Sequence, residues 1–261
     1  MGLLHRQSTA GLHAYRRSAD HCRRRQRNEQ RQHYHQRKRL VKARRLFSLR
    51  LLQICRYEPE LTYTLPAYQT ASGCTDIIVH SLERFFTKPD VKQLNLTDGI
   101  AETLIKNVML NVKAALKKPD DYDARAEIMW SGTLSHNDIT GDRTLGDWAC
   151  HQLEHELGGM FDIAHGAGLA AVWGSWARYV MPVNPARFAQ LAVNVFGIPY
   201  TAGAEEKIAL EGIEAMEAFF KSIGMRRKSA IWIFTLPTSR LKSWPINAAL
   251  TTHAPSAALK H

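Results

Sequence analysis

HQLEHELGGMFDIAH, residues 151–165, sets three histidines and three acids within one short stretch. His151 and His155 are four apart, so on a helix they share one face. His165 lies beyond the pair Gly158-Gly159. HQLEH also spells H-x-x-E-H, an arrangement used by some zinc peptidases. A helical reading of this stretch calls for partner helices, and the rest of the chain supplies them.

Working outward, DWACHQLEHELGGMF predicts a helix capped near Asp147, and HGAGLAAVWGSWARYVM a buried helix rich in small residues. Upstream, LTYTLPAYQTASG reads as a loop entering a helix, with Thr70 or Ser72 as cap. CTDIIVHSLERFF continues that helix. QLNLTDGIAETLIKNVMLNVKAALKKP is a long amphipathic helix ended by Pro119. DYDARAEIMWSGTLSHNDI opens on acids that suit a helix N-terminus. NPARFAQLAVNVFG has Pro185 in a first-turn position, and Gly224 closes AEEKIALEGIEAMEAFFKSIG. Seven or eight helices with almost no strand alternation predict an all-α domain over residues 58–225.

Composition narrows the function. Residues 1–50 hold fifteen basic and two acidic side chains, which leaves twenty basic and twenty-two acidic in the remainder. The basic character therefore sits at the N-terminus, and the body is not expected to bind nucleic acid. No apolar run reaches the ~18 residues of a membrane span. Cys22, Cys55, Cys74 and Cys150 form no CxxC pair, which points to a reducing, cytoplasmic setting. Cys74 and Cys150 read as small buried fillers.

Asp76 and His80 repeat the four-residue spacing of His151 and His155. Each pair alone is more often ordinary helix surface or core than a site. Together with His165 they offer one carboxylate and imidazoles from facing helices, the way metal sites are built in bundles. Such a set suits Fe(II) or Zn(II), with room for a substrate oxygen. A peptidase reading would use His151, Glu154 and His155, and would leave Asp76, His80 and His165 without work. His136, His253 and His261 have no partner pattern and read as structural or solvent-exposed.

LTYTLPAYQTASGCTDIIVHSLERFFTKP, DYDARAEIMWSGTLSHN and DWACHQLEHELGGMFDIAHGAGLA resemble the metal domain of the iron-containing (group III) alcohol dehydrogenases, near the NADPH-dependent butanol dehydrogenase subgroup. The resemblance covers roughly residues 58–225. It implies a helical metal-binding domain with Asp76, His80, His151 and His165 as ligands of Fe(2+), Zn(2+) being the alternative. It also implies that His155 lies between metal and nicotinamide, touching the cofactor and relaying the alkoxide proton. The cofactor would be NADP or NAD, the substrate a small alcohol or aldehyde, and the complete enzyme a possible homodimer.

The family's N-terminal α/β domain binds NAD(P) through a Gly-rich turn, and no such turn or βαβ pattern is found in this sequence. Residues 1–57 are basic and without apolar periodicity, as expected of disordered sequence, a nucleic-acid arm or a transit peptide. A frame shift is the favoured expectation. Residues 19–39 can be back-translated so that the next frame reads PIIAAAGSEMSNASIITSEN, similar to the family's segment ahead of LTYTLP. The irregular tail, 226–261, contains IWIFTLPTSRLKSWPIN, which can be written so that a shifted frame reads LDIHLTDEPIEELADK. The expectation is an oxidoreductase domain in a partial chain. Its alternative is a non-enzymatic, metal-binding remnant of a disrupted dehydrogenase gene.

Overall fold

Helix α1, Ala67–Phe85, carries the first half of the candidate site and is wrapped by its neighbours. The computed structural model describes residues 31–36, 41–46, 57–86, 95–141 and 148–225. A short 3-10 turn, Pro59–Thr62, leads into α1, whose N-cap is Pro66 with φ −56°. The expected caps Thr70 and Ser72 lie inside the helix instead, and both are buried. Proline's ring-locked φ starts the helix early, and the Thr70 hydroxyl accepts a 2.9 Å bond from Arg125 Nη1.

Helix α2, Asn95–Lys117, buries Ala101, Leu104, Ile105, Val108 and Val112, a spacing of three and four that makes one apolar stripe. It stops ahead of Pro119, as expected. Helix α3, Tyr122–His136, is capped by Asp121, whose Oδ1 accepts from the Ala124 amide at 3.0 Å. Helix α4, Ala149–Phe161, starts after Trp148; the expected cap, Asp147, lies outside the described residues. Helix α5, His165–Val180, begins on the histidine itself. Helix α6, Pro185–Phe196, is capped by Asn184. Helix α7, Glu205–Ser222, is followed by Gly224 at φ +84°. Among the described residues these are the seven α-helices, all within the predicted span.

Helix α1 packs against α2, α3, α4 and α5, while α6 and α7 pair with each other and α7 also meets α5. Ile77, Ile78 and Leu82 of α1 share one core with Ile105, Leu169, Trp173, Ile213, Met216 and Phe220, all shut off from solvent. Each such side chain contributes roughly 1.5–3 kcal/mol of burial. Arg187 of α6 ties the end of α1 to the start of α2. Its Nε and Nη2 donate to the Phe85 carbonyl at 3.0 and 2.9 Å, and its guanidinium grips both oxygens of Asp98.

Outside the helices, β1, Arg31–Gln36, pairs antiparallel with β2, Val41–Leu46, with Arg31 opposite Leu46. No alternation marks these strands in the sequence, and a backbone ladder needs none; a two-stranded ribbon alone is marginal. The remaining expectations for residues 1–57 and 226–261 lie outside the described residues. No helix among the described residues is long and apolar enough to cross a membrane.

Candidate metal centre

Four helices deliver the polar cluster. Helix α1 brings Asp76 and His80 on one face. Helix α4 brings His151, Glu154 and His155. Helix α5 opens with His165, and α3 ends with His136. The focus is Asp76 Oδ1. His80 Nδ1 lies 3.1 Å from it, His165 Nε2 3.4 Å and His151 Nε2 3.6 Å. His151 Nε2 and His80 Nδ1 are themselves 3.2 Å apart.

Asp76 Oδ1 is buried yet makes no hydrogen bond. A buried polar atom in that state is costly unless something meets it. A divalent cation would do so, because the donor set of one carboxylate and three imidazoles is what Fe(II) and Zn(II) take. The four residues singled out in the sequence are thus brought together around one oxygen. His80 sits on the His136 side of Asp76, while His151 and His165 form a trio with it whose donor atoms lie within 4.8 Å of one another.

Two of the three rings, His151 and His165, are held from behind by a carboxylate. Glu83 Oε1 accepts from the His151 backbone amide at 2.9 Å and stands 2.9 Å from His151 Nδ1. The carboxylate favours a proton on Nδ1, which would leave Nε2 as the nitrogen offered to a cation beside Asp76. Glu154 does the same for His165 through Nδ1. Glu154 is fully buried, and it fits only because Gly168 has no side chain; a Cβ there would stand 2.7 Å from Glu154 Cγ. Sequence reasoning considered Glu154 only as a peptidase residue and passed over Glu83. Yet Asp76, His80 and Glu83 stand at i, i+4 and i+7, one continuous helix face that could have revealed it.

One side of the cluster is closed. The Trp148 ring lies 5.3 Å from His80 and 5.1 Å from His151, with the Arg84 guanidinium 4.8 Å over it. Trp148 adopts a left-handed φ of +56°, a conformation that costs a bulky residue energy and here turns its ring onto the cluster. The other side is open, since the His165 side chain is 32% exposed against 7% for His151. His155 borders that open side, half-buried, its ring 5.6 Å from that of His165. It groups with Glu154 and His165 rather than with Asp76.

Burial opposes charge on Asp76, but the surrounding His80, His151 and His165 rings outweigh it and hold the carboxyl well below its ordinary range. Burial likewise opposes charge on His151, yet Asp76 and Glu83 push its pKa up to about 9. Cys74 and Cys150 are both buried, as expected of fillers. His136, expected to be structural or exposed, is buried at the cluster's edge, with Nε2 3.3 Å from Asp76 Oδ2.

Known proteins share this arrangement of sequence and fold. Residues 70–230 match the family model described as Fe-containing alcohol dehydrogenase family, C-terminal. NADH-dependent butanol dehydrogenase A of Clostridium acetobutylicum is 36% identical over 172 residues, covering 66% of this chain and 43% of that protein. The NADPH-dependent aldehyde reductase YqhD of Escherichia coli is 35% identical over 169 residues, covering 64% and 42%. The crystal structure of NADH-dependent butanol dehydrogenase A from Thermotoga maritima superposes with a TM-score of 0.73 at 33% identity, over 82% of this chain and 52% of that one. The chain therefore spans about half the length, or less, of the relatives it matches. With well over half of its residues inside the family model, the chain belongs to the Fe-containing alcohol dehydrogenase family.

Proposed function

We propose that residues 58–225 are the metal-holding part of an NAD(P)H-dependent alcohol or aldehyde oxidoreductase of the butanol dehydrogenase type. Asp76, His80, His151 and His165 hold one divalent cation, Fe(II) or in its place Zn(II). The observation that carries this reading is the buried Asp76 Oδ1 with three imidazole nitrogens 3.1–3.6 Å away and no hydrogen bond of its own. When bound, such a cation supplies Lewis-acid polarisation of an alcohol or carbonyl oxygen.

The chain's own residues do the remaining work. Glu83 and Glu154 fix the tautomers of His151 and His165, so that both Nε2 lone pairs face the same point. Trp148 keeps water from the closed side. His155 borders the open side, where a substrate oxygen would enter. It carries the proton to and from that oxygen, as imidazole does near neutral pH. A nicotinamide of NADP or NAD would supply the hydride chemistry, and His155 is the residue that would meet it. The scattered cysteines support a cytoplasmic setting.

The 261-residue chain taken alone is the second reading, a metal-binding remnant without turnover. It is raised by the extent of the match, which covers 43% of the length of the Clostridium acetobutylicum butanol dehydrogenase A. The test is the purified chain with Zn(II) or Fe(II), assayed for bound metal and for butanal reduction at the NADPH absorbance, with His151→Ala beside it. Expected is metal binding that the variant loses, and no turnover. Metal-dependent turnover lost in the variant would make this chain an enzyme by itself. Absence of metal binding would refute the centre.

A further inference from the structure

The carboxylate at the focus has a second oxygen, and a histidine that spacing did not single out faces it. His136 closes α3, is buried, and points Nε2 at Asp76 Oδ2 across 3.3 Å. Its ring stacks on His80, with centroids 3.9 Å apart and planes 26° from parallel. Its other nitrogen, Nδ1, is 2.6 Å from Ser135 Oγ. One side chain thus touches two of the four cation-holding residues and is itself fixed from behind.

The proton on His136 can sit on either nitrogen, and its neighbours choose. With the proton on Nδ1, the Nε2 lone pair would face a carboxylate oxygen that can only accept, which is repulsive. With the proton on Nε2, that nitrogen donates to Asp76 Oδ2, and the Ser135 hydroxyl donates to Nδ1. Ser135 Oγ also lies 3.2 Å from the Gly132 carbonyl, but the helix's own backbone ladder serves that oxygen, so the hydroxyl proton can go to the shorter contact.

We infer that His136 is a positioning residue of this centre, donating from Nε2 to Asp76 Oδ2 so that Oδ1 alone is presented to the cation. The inference rests on the metal-centre reading above and extends it to a residue outside the ligand set. The stack on His80 adds a second constraint, holding that ring at the angle from which Nδ1 faces Asp76. Partners of this kind set ligand orientation, and their removal costs about 10- to 100-fold in metal affinity.

The experiment measures zinc affinity of the full chain by competition with a chromophoric chelator, and records the visible spectrum of the cobalt(II) form. His136→Phe keeps a ring against His80 but has no donor. His136→Gln restores a donor of similar reach. Expected is a loss of about 10- to 100-fold in zinc affinity for the Phe variant, recovery of most of it in the Gln variant, and cobalt bands unchanged in position and intensity. Both variants should unfold cooperatively without metal, the Phe variant at the lower temperature because it leaves Asp76 Oδ2 without its donor. Wild-type affinity in the Phe variant overturns the inference. So does a change in cobalt band intensity, which would make His136 a ligand itself. If the Phe variant does not fold, Ser135→Ala decides. It removes the Nδ1 partner, so unchanged affinity there overturns the inference and a several-fold loss supports it. A wild-type chain that binds no zinc overturns the centre and this inference together, whereas a failure confined to the variants leaves the centre standing.

Discussion

Gly166→Ala should damage both the packing and the metal site. The first turn of α5 lies so close to α1 that a Cβ at Gly166 would stand 1.9 Å from the Ser72 carbonyl oxygen and 2.7 Å from its carbon. Ordinary contact begins at 3.4 Å, so the two helices must part by about 1.5 Å, the difference between 3.4 and 1.9. The obstacle is backbone and cannot rotate away. Overpacking of this sort costs about 1–3 kcal/mol, which at an m-value of about 2 kcal/mol/M lowers the urea midpoint by about 0.5–1.5 M. His165 is the preceding residue, and metal bonds tolerate only about 0.2 Å. Zinc affinity should therefore fall by at least the ~10–100-fold that losing an outer partner costs. The assays are urea unfolding without metal and zinc titration calorimetry. Gly99→Ala, on α2 with nothing within 4 Å of the added carbon, is the control; it should be neutral or stabilising by about 0.5–1 kcal/mol. A Gly166→Ala protein matching that control in midpoint and zinc affinity would refute the close-approach argument.

Glu83→Gln should leave the protein folded but lower zinc affinity about 10- to 100-fold, because the amide no longer pins the proton on His151 Nδ1; unchanged calorimetry would remove Glu83 from the centre. In the metal-free protein, His151 has its pKa raised from 6.5 to about 9. Its contribution is therefore complete below pH 6.5 and is lost as pH rises through about 9, whereas Asp76, held below 3.8, contributes above that value and is lost on acidification beneath it. Urea midpoints across pH should show both limbs, and His151→Ala should flatten the alkaline one; an alkaline limb of unchanged size in that variant would exclude His151 as its source. Arg187→Met takes the cation from the buried Asp98 carboxylate, which keeps the Gln190 amide, and should cost about 3–5 kcal/mol, with part recovered in the double variant Arg187→Met/Asp98→Asn. Equal unfolding midpoints for single and double variants would refute the uncompensated-carboxylate argument.

What could be read in advance follows the range of the interactions. Asp76 with His80, and His151 with His155, are neighbours along one helix, so spacing alone announces them. His165 is different, because the chain breaks at Asp162, with φ +54°, before α5 begins. No helical period bridges that break, so His165 joins the set by its nearness in sequence to His151 and by the resemblance rather than by helical spacing. His136 and Glu154 gain their meaning from what faces them across the turn or the helix interface, which local pattern does not encode, whereas Glu83 shares a helix face with Asp76 and His80. Local pattern makes Thr70 or Ser72 a cap, whereas the Thr70 hydroxyl accepts from Arg125 on another helix. The helices were legible because their apolar stripes repeat every three or four residues.

The grip of Arg187 on the Phe85 carbonyl and Asp98 bears on how the chain tolerates change. It fastens the last turn of α1 to the first turn of α2 from a third helix, without using residues 87–94. The helix that bears Asp76 and His80 thus has its far end anchored by a side chain rather than by the peptide linking it to its neighbour. One guanidinium thus joins three helices, so a change at position 187 would be felt along the helix that bears Asp76 and His80.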